Sequence, residues 1–421
     1  MNSDPQQAFV WIWLPRATAP VVAGRLDGQG AIITFTYGRS YLEREDAIAL
    51  YLPELPLDRG RISPLVGDVA GCIADAAPDA WGRRVILNRR VGRAAVDTAE
   101  LGLMTYLLDS GSDRIGALDF QKSGSKYVAR STQQATLAEL AESALRVEEG
   151  VPLSPALDEA LLHGSSVGGA RPKALLHDGD RRLIAKFSST TDAYPIVKGE
   201  YMAMELARRA GIDAAEVKLT SALGKDVLLI KRFDRPDGGG RRAMVSALTI
   251  LGLDELGSRY ASYADLADIV RARFTDPTRT LRELFSRITF SILVSNNDDH
   301  ARNHAAFWDG EALTLTPAYD ICPQPRTGGE TAQLMAIGRD SYRMSQLAGC
   351  ATRASTYLLS EQEAREIIDH QISVIESEWA SACDLAELTE VDRATFWRRQ
   401  FLNPYALQGY APRGREIVPI N

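Results

Sequence analysis

SILVSNNDDHARNHAAFW, residues 291–308, interrupts an apolar run with a dense polar cluster and then returns to buried-type residues. The preceding LFSRITFSILV has the spacing of a buried helix, so the cluster falls where that helix ends. Asp298 and Asn303 stand five residues apart, the Asp-to-Asn separation of the protein-kinase catalytic loop. Phosphoryl transfer needs such a pair: a carboxylate to accept the attacking hydroxyl's proton, and an amide oxygen for magnesium, which prefers hard oxygen donors. Further on, LTLTPAYDICP, residues 313–323, supplies Asp320 after a short apolar strand, where a kinase keeps its metal-binding aspartate. Magnesium takes one or two carboxylates plus substrate phosphates, so Asn303 and Asp320 suffice as the protein's share. Two other readings compete. The cluster could be a solvated turn capped by its own Asx side chains. His300 and His304, four apart beside Asp298 and Asp299, also invite zinc. The glutamate of an HExxH motif is missing and Asn303 is a poor zinc ligand, so His300 is expected to brace the loop by hydrogen bonding.

Upstream, GSSVGGARPKALLHDGDRRLIAKF, residues 164–187, joins a glycine-rich loop to two apolar runs around Asp178–Gly179, a hairpin signal. Gly168 and Gly169 lack a Cβ and would let backbone amides approach an anion closely. The loop is not a Walker A sequence. Lys186 sits in the second apolar run, where an ammonium is costly unless paired or at the surface. The competing reading is an edge-strand lysine in water. Glu200 opens the helix EYMAMELARRAGI, with Met202, Leu206 and Ala210 on one face and Gly211 as its stop. A strand lysine followed by a helix glutamate is the kinase order, and Glu205 is the rival candidate for the second role. VLLIKRFDR then brings Lys231 and Phe233 to the junction of the β-rich and helical parts, where an adenine could sit.

At 421 residues the chain exceeds one ordinary core, and 45% apolar with 24% charged residues marks a soluble globular protein. No stretch reads as a membrane span or signal peptide. Four scattered cysteines without a CxxC pair argue against a zinc site or disulfide framework and fit a reducing cytoplasm. A net charge of −7 with no basic run makes direct DNA binding unexpected; contact would come through a basic partner. FVWIWL, AIITFTY and IALYLP read as early strands, TAELGLMTYLLDS as a helix, and IGALDF as a further strand. Residues 121–134 read as a linker, and the chain is predominantly helical from about 245 until an irregular tail after Asn403. The expected class is α+β: a protein-kinase-like, two-lobed fold with an added N-terminal β-rich subdomain (1–134), a strand-rich lobe with the glycine loop (135–240) and a helical lobe carrying the catalytic loop (241–421).

These stretches together resemble the HipA family of serine/threonine kinase toxins from bacterial toxin–antitoxin pairs. The resemblance runs through VWIWLP, PVVAGRL, TFTYGRSYL, DAAPDAWGRR, DRIGALDF, SSVGGARPK, LIAKF, GEYMAMELARRAGI, KRFDR, NNDDHARNH and LTPAYDI, most of the chain. It implies an ATP- and magnesium-dependent kinase with Asp298 as base and Asn303 and Asp320 on the metal. Its nucleotide-side residues would be Lys186, Ser166, Gly168, Gly169, Phe233, Glu200 and His300. It also implies autophosphorylation at Ser166, with Ser165 as the adjacent candidate. The protein substrate would be one of translation, such as an aminoacyl-tRNA synthetase. A small helix-turn-helix antitoxin, HipB-like, would neutralise the toxin and supply the DNA contact. Lys231 departs from a glutamate found at the hinge of a prominent member, which weakens the adenine assignment. A small-molecule or lipid kinase, or a pseudokinase serving as an antitoxin-binding co-repressor, remain the alternatives.

Overall fold

The computed structural model describes residues 5–91, 101–130, 135–151, 153–154, 157, 171–326 and 329–413. Ser165, Ser166, Gly168 and Gly169 lie outside them. Contacts divide the chain into two compact units, one of Met1–Thr191, Thr220–Val245 and Phe307–Glu311, the other of Asp192–Leu219, Ser246–Ala306 and Ala312–Asn421.

The first unit holds two antiparallel sheets. Strands β1 (Gln7–Ile12), β2 (Val21–Gln29), β3 (Ile32–Tyr37), β4 (Arg61–Ile62) and β5 (Leu118–Gln121) make a five-stranded sheet in the order β4-β3-β2-β1-β5. The expected strand at IALYLP is absent. Tyr51 and Leu55 meet only as an isolated bridge, while Tyr37 Oη donates to the Leu55 carbonyl (2.7 Å) and accepts from the Leu50 amide (2.9 Å). Strand β2 escapes sequence reading because two glycines, an arginine and an aspartate break its alternation. The second sheet contains β6 (Lys173–Asp178), β7 (Arg181–Phe187), β8 (Val217–Ala222, which enters this unit at Thr220) and β9 (Lys225–Lys231), in the order β6-β7-β9-β8. The Asp178–Gly179 hairpin forms as expected, and Gly179 takes φ 58°, which glycine adopts without penalty. Trp81, Val85, Leu140, Ala144, Val147, Ala174, Ala185 and Phe187 pack the helices Ala80–Val91 and Leu137–Glu149 onto this sheet. The Trp81 indole donates to the Lys173 carbonyl (2.9 Å).

A buried charge network ties the end of β9 to the loop before β5. Arg232 donates through Nε and Nη2 to the two Asp234 oxygens (2.9 and 2.8 Å) and through Nη1 to Asp113 (3.0 Å). Arg235 reaches the same two acids (2.9 and 2.7 Å), and the Gly116 amide donates to Asp234 (2.8 Å). Next to it Arg114 and Arg130 share Asp119 (3.0 and 2.8 Å). Residues 121–130 are therefore not a free linker. Tyr127 donates to Asp119 (3.1 Å) and its ring meets Trp11 and Trp13.

The second unit is helical. Helix Pro277–Leu293, capped by Asp276 on the Arg279 amide (3.1 Å), buries most of its length. Gln371 of helix Glu361–Leu385 bridges to it, accepting from Thr289 Oγ1 (2.9 Å) and donating to the Ser286 carbonyl (2.8 Å). The same long helix pairs Glu378 with Arg209 of helix Ile196–Arg209 (2.5 Å). Residues 404–410 are held by packing rather than irregular, and the rest of the tail beyond Arg413 lies outside the described residues. Pro404–Leu407 form a 3₁₀ turn, and Tyr410 is buried with its hydroxyl on Asp369 (2.8 Å). No helix among the described residues is long and apolar enough to cross a membrane.

Burial alone would raise the Asp234 carboxyl, but Arg232 and Arg235 hold it below its ordinary value of 3.8. A carboxylate depressed in the folded state contributes stability above its unfolded pKa and loses it as pH falls through the folded pKa. Urea titrations should therefore show the first unit weakening as pH drops below about 4. Asp234→Ala, which leaves two buried guanidinium groups sharing Asp113 alone, should cost about 3–5 kcal/mol at neutral pH.

Candidate active site

The polar cluster is built outward from the end of helix Pro277–Leu293. Beyond it Ser295 takes φ 55°, a left-handed conformation that costs a non-glycine residue about 1–2 kcal/mol. Three hydrogen bonds hold the turn: Ser295 Oγ to the Gln400 carbonyl (2.7 Å), the Gln324 amide to the Ser295 carbonyl (3.0 Å), and the Asn296 amide to the Ser291 carbonyl (2.8 Å). Asn297 donates its side-chain amide to Thr331 Oγ1 (3.0 Å).

Asp299 then turns inward and is 3% exposed, whereas its neighbour Asp298 is exposed. Asp299 accepts from the Tyr263 hydroxyl (2.5 Å), from His304 Nε2 (3.0 Å) and from Ser291 Oγ (3.3 Å). The Tyr263 ring stands edge-on to the His304 ring at 5.4 Å. Burial would raise the Asp299 carboxyl, but His304 and the Tyr263 hydrogen bond outweigh it and leave it lowered. Asp299 is therefore a charged pin, closed on several sides. It explains why two successive aspartates differ: one anchors, and the other is presented.

The Asp298 side chain makes no hydrogen bond among the described residues. Its carboxyl lies above the ordinary value of 3.8, first because its group is partly desolvated although the residue is exposed, and then because Asp320 and Asp299 oppose its charge; His300 acts the other way. A raised carboxyl is a better proton acceptor near neutral pH. Asn303 is 8% exposed at the end of the 3₁₀ turn Ala301–Asn303, and its amide nitrogen donates to the Asp298 carbonyl (3.4 Å). With the nitrogen so committed, its oxygen is the atom suited to a hard cation.

Asp320 is half-buried, at φ 59°. Short-polar Asp tolerates that left-handed region better than most residues, and such outliers cluster at functional sites. The chain reaches it through the parallel bridge of Ala318 with Ala214, while Arg287 donates to the Thr316 carbonyl (2.9 Å) and Tyr319 Oη to the Arg302 carbonyl (2.7 Å). Asp298, Asn303 and Asp320 thus lie in one unit, with the Asp320 charge close enough to oppose ionisation of Asp298. Among the described residues no group of three or more His, Cys, Asp or Glu side chains is placed to hold a metal by itself. Asn303 and Asp320 offer hard oxygens only, which suits magnesium completed by phosphate and water, not zinc. His304 is committed to Asp299. His300 Nδ1 is buried without a hydrogen-bond partner among the described residues, so the expected bracing bond is not formed through that atom.

The remaining candidates divide between the units. Lys186 is not an edge lysine. Strand β7 is flanked by β6 and β9, and Lys186 is 8% exposed, directly opposite Lys173, itself 3% exposed. Two ammonium groups on one face concentrate positive charge, and Lys173 drew no attention in the sequence as more than part of a motif. Phe233 is half-buried against Phe307 (5.9 Å, edge-on), with Arg242 over the Phe307 ring. Glu200 belongs to the second unit and is 3% exposed, while its rival Glu205 is drawn to Arg208 and Arg209 (3.5 Å each). The anchors Tyr263 and Ser291 carried no sequence signal, because Tyr263 comes from a helix 36 residues before Asp299.

The chain matches the model of the HipA-like C-terminal domain over residues 165–379, more than half its length, and that of the HipA N-terminal domain over residues 17–121. The chain belongs to the HipA family. It is similar to Y4mE of Sinorhizobium fredii, a candidate kinase by its name, at 25% identity over 321 residues, covering 69% of this chain and 71% of that one. It is also similar to the serine/threonine-protein kinase toxin HipA of Shewanella oneidensis, at 25% identity over 183 residues, 37% of this chain and 42% of that protein. A solved structure of Shewanella oneidensis HipA with HipB and its operator DNA matches 92% of this chain and 93% of its own, with a TM-score of 0.66 at 20% identity. The fold of this HipA-family chain is therefore the mixed α+β, kinase-like fold with an N-terminal β-sheet subdomain.

Tyr263→Phe removes one donor from the buried Asp299 carboxylate and should destabilise the second unit by about 1–3 kcal/mol. Hydrogen exchange over residues 295–304 should quicken in that variant before the rest of the unit opens.

Proposed function

We propose that this HipA-family chain is an ATP- and magnesium-dependent serine/threonine protein kinase toxin. The observation that carries the reading is the grouping of a presented, raised Asp298 with the hard-oxygen pair Asn303 and Asp320, braced by a buried Asp299. Asp298 accepts the proton of the attacking serine or threonine hydroxyl. Asn303, held on the Asp298 carbonyl, and Asp320, held in its left-handed turn, bind the cation. Magnesium, when bound, neutralises charge on the transferring phosphoryl group. Motif order assigns Lys186 to the ATP phosphates, Glu200 to orienting that lysine, Phe233 to the adenine and His300 to the nucleotide side of the loop.

The same likeness supports autophosphorylation in the glycine-rich loop at Ser166 or Ser165, ahead of Gly168 and Gly169 in sequence. A phosphate there adds about −1.5 to −2 charges and would repel ATP, switching the enzyme off. The substrate is a protein of translation, such as an aminoacyl-tRNA synthetase. A HipB-like helix-turn-helix antitoxin neutralises the toxin and provides the DNA contact, in keeping with the net charge of −7. Placement in the cytoplasm goes with that role.

Asp298→Asn should lower phosphotransfer by about 10²–10⁴-fold or more while the protein stays folded, since the side chain is exposed. Phosphosite mass spectrometry of lysate treated with either protein should find the Ser166 or Ser165 label, and toxicity, only with the wild type. Toxicity that survived the substitution would refute the kinase mechanism. Chelation of magnesium should abolish transfer and its return restore it, whereas zinc should not substitute.

A further inference from the structure

A second surface of the helical unit borders the catalytic loop and is occupied by none of the roles above. Leu256 and Tyr260, in the loop before helix Tyr263–Arg273, are 83% and 65% exposed, and Leu334 is 46% exposed. Tyr260 and Leu334 come from segments that meet at the isolated parallel bridge of Ser262 with Ala336, and Leu256 precedes Tyr260 by four residues in the same loop. One guanidinium spans both: Arg343 donates to the Leu334 carbonyl and to the Arg259 carbonyl (3.3 Å). The surface is also fastened to the catalytic loop at both sides. Glu255 is paired with Arg302, next to Asn303, and Thr331 accepts from Asn297, next to Asp298.

Its charge is distinctive. Arg343 is bonded only to carbonyls, and Arg259 lies over the Tyr260 ring at 4.9 Å; neither has a carboxylate partner among the described residues. Of the acids in the loop, Glu255 is neutralised by Arg302 and Asp254 is folded back onto the Gly257 amide (2.7 Å). A chain of net charge −7 thus presents unneutralised guanidinium groups around exposed leucines and a tyrosine. Adjacent exposed apolar side chains of this kind mark interaction sites, and an aromatic with arginines is the usual make-up of their energetic centre.

We propose that this surface docks the protein substrate through an acidic–aliphatic segment, an aliphatic side chain set on Leu256, Tyr260 and Leu334 with flanking carboxylates on Arg259 and Arg343. The inference rests on the kinase reading and names the substrate chemistry that reading leaves open. The docked segment lies on the chain to either side of the accepting hydroxyl, so specificity comes from a surface beside the reacting atoms and not from the atoms themselves. Complementary charge also quickens encounter and makes it sensitive to salt.

The test uses the full chain, ATP and magnesium with two sets of synthetic serine peptides, one carrying Asp-Leu-Glu at varied distances from the serine and the other Lys-Leu-Lys. The acidic set should be phosphorylated with kcat/KM higher by about tenfold or more, a difference carried by KM and reduced by added salt. Leu256→Ser and Arg259→Glu, both at exposed positions, should each erase the preference while leaving the chain's own phosphorylation at the wild-type rate. Self-labelling with equal use of both peptide sets would overturn the docking inference and leave the kinase reading standing. No label on peptide or protein would bring down both. A dimer in sedimentation that Leu256→Ser dissociates would assign the surface to a second copy of the chain and overturn the proposal.

Discussion

A carboxylate that does not react sets the geometry of the helical unit. Asp299 is charged and almost fully enclosed, so it must be neutralised where it lies, and that requirement fixes Tyr263, His304 and Ser291 around it. These partners come from one helix before the loop, from the helix that leads into it and from the end of the 3₁₀ turn that closes it. Closing the cluster therefore draws those elements together. Asp298 and Asn303 lie between Ser291 and His304 in sequence, so they inherit their placement from a bond they do not make. The turn at Ser295 supplies the remaining constraint, because bonds to Gln400 and Gln324 add to those of the helix end in holding its unfavourable backbone.

The first unit follows the same rule with several charges of each sign. Arg232, Arg235 and Arg114 are buried near Asp113, Asp234 and Asp119, and the cluster binds β9 to the loop that feeds β5. Buried pairs of this kind add little net stability over apolar packing, yet each is costly to break singly. Their value is positional. They fix where the KRFDR segment leaves the sheet, and with it Phe233.

Local features of both units were legible in the sequence, and the long-range ones were not. The Asp178–Gly179 hairpin, the helix around Glu200 (which starts at Ile196, four residues before the expected opening) and the apolar helix before Asn296 depend on neighbours in sequence, where turn chemistry and periodicity act. The five-residue separation of Asp298 and Asn303 was visible for the same reason. The role of Asp299 was hidden, since nothing in NNDDH tells which aspartate faces inward; a tyrosine 36 residues earlier decides it. Lys186 looked like a possible edge residue because strand order is a tertiary fact. IALYLP has strand composition, but the Tyr37 hydroxyl takes the Leu50 and Leu55 backbone groups that a neighbouring strand would have taken. The polar stretch after Gln121 had linker composition, yet two tryptophans and a buried aspartate claim Tyr127.

The left-handed backbone at Asp320 carries a consequence for how this position can change over time. Asparagine and glycine accept that conformation readily, whereas most other side chains would add a steric cost to the loss of the carboxylate. Change at this position is thus funnelled: the cheapest exits from Asp320 keep the scaffold whole while discarding its carboxylate. A lineage that no longer needs that carboxylate sheds it in one step and still possesses a folded protein. Inert but intact descendants are what this single dihedral angle makes easy to reach.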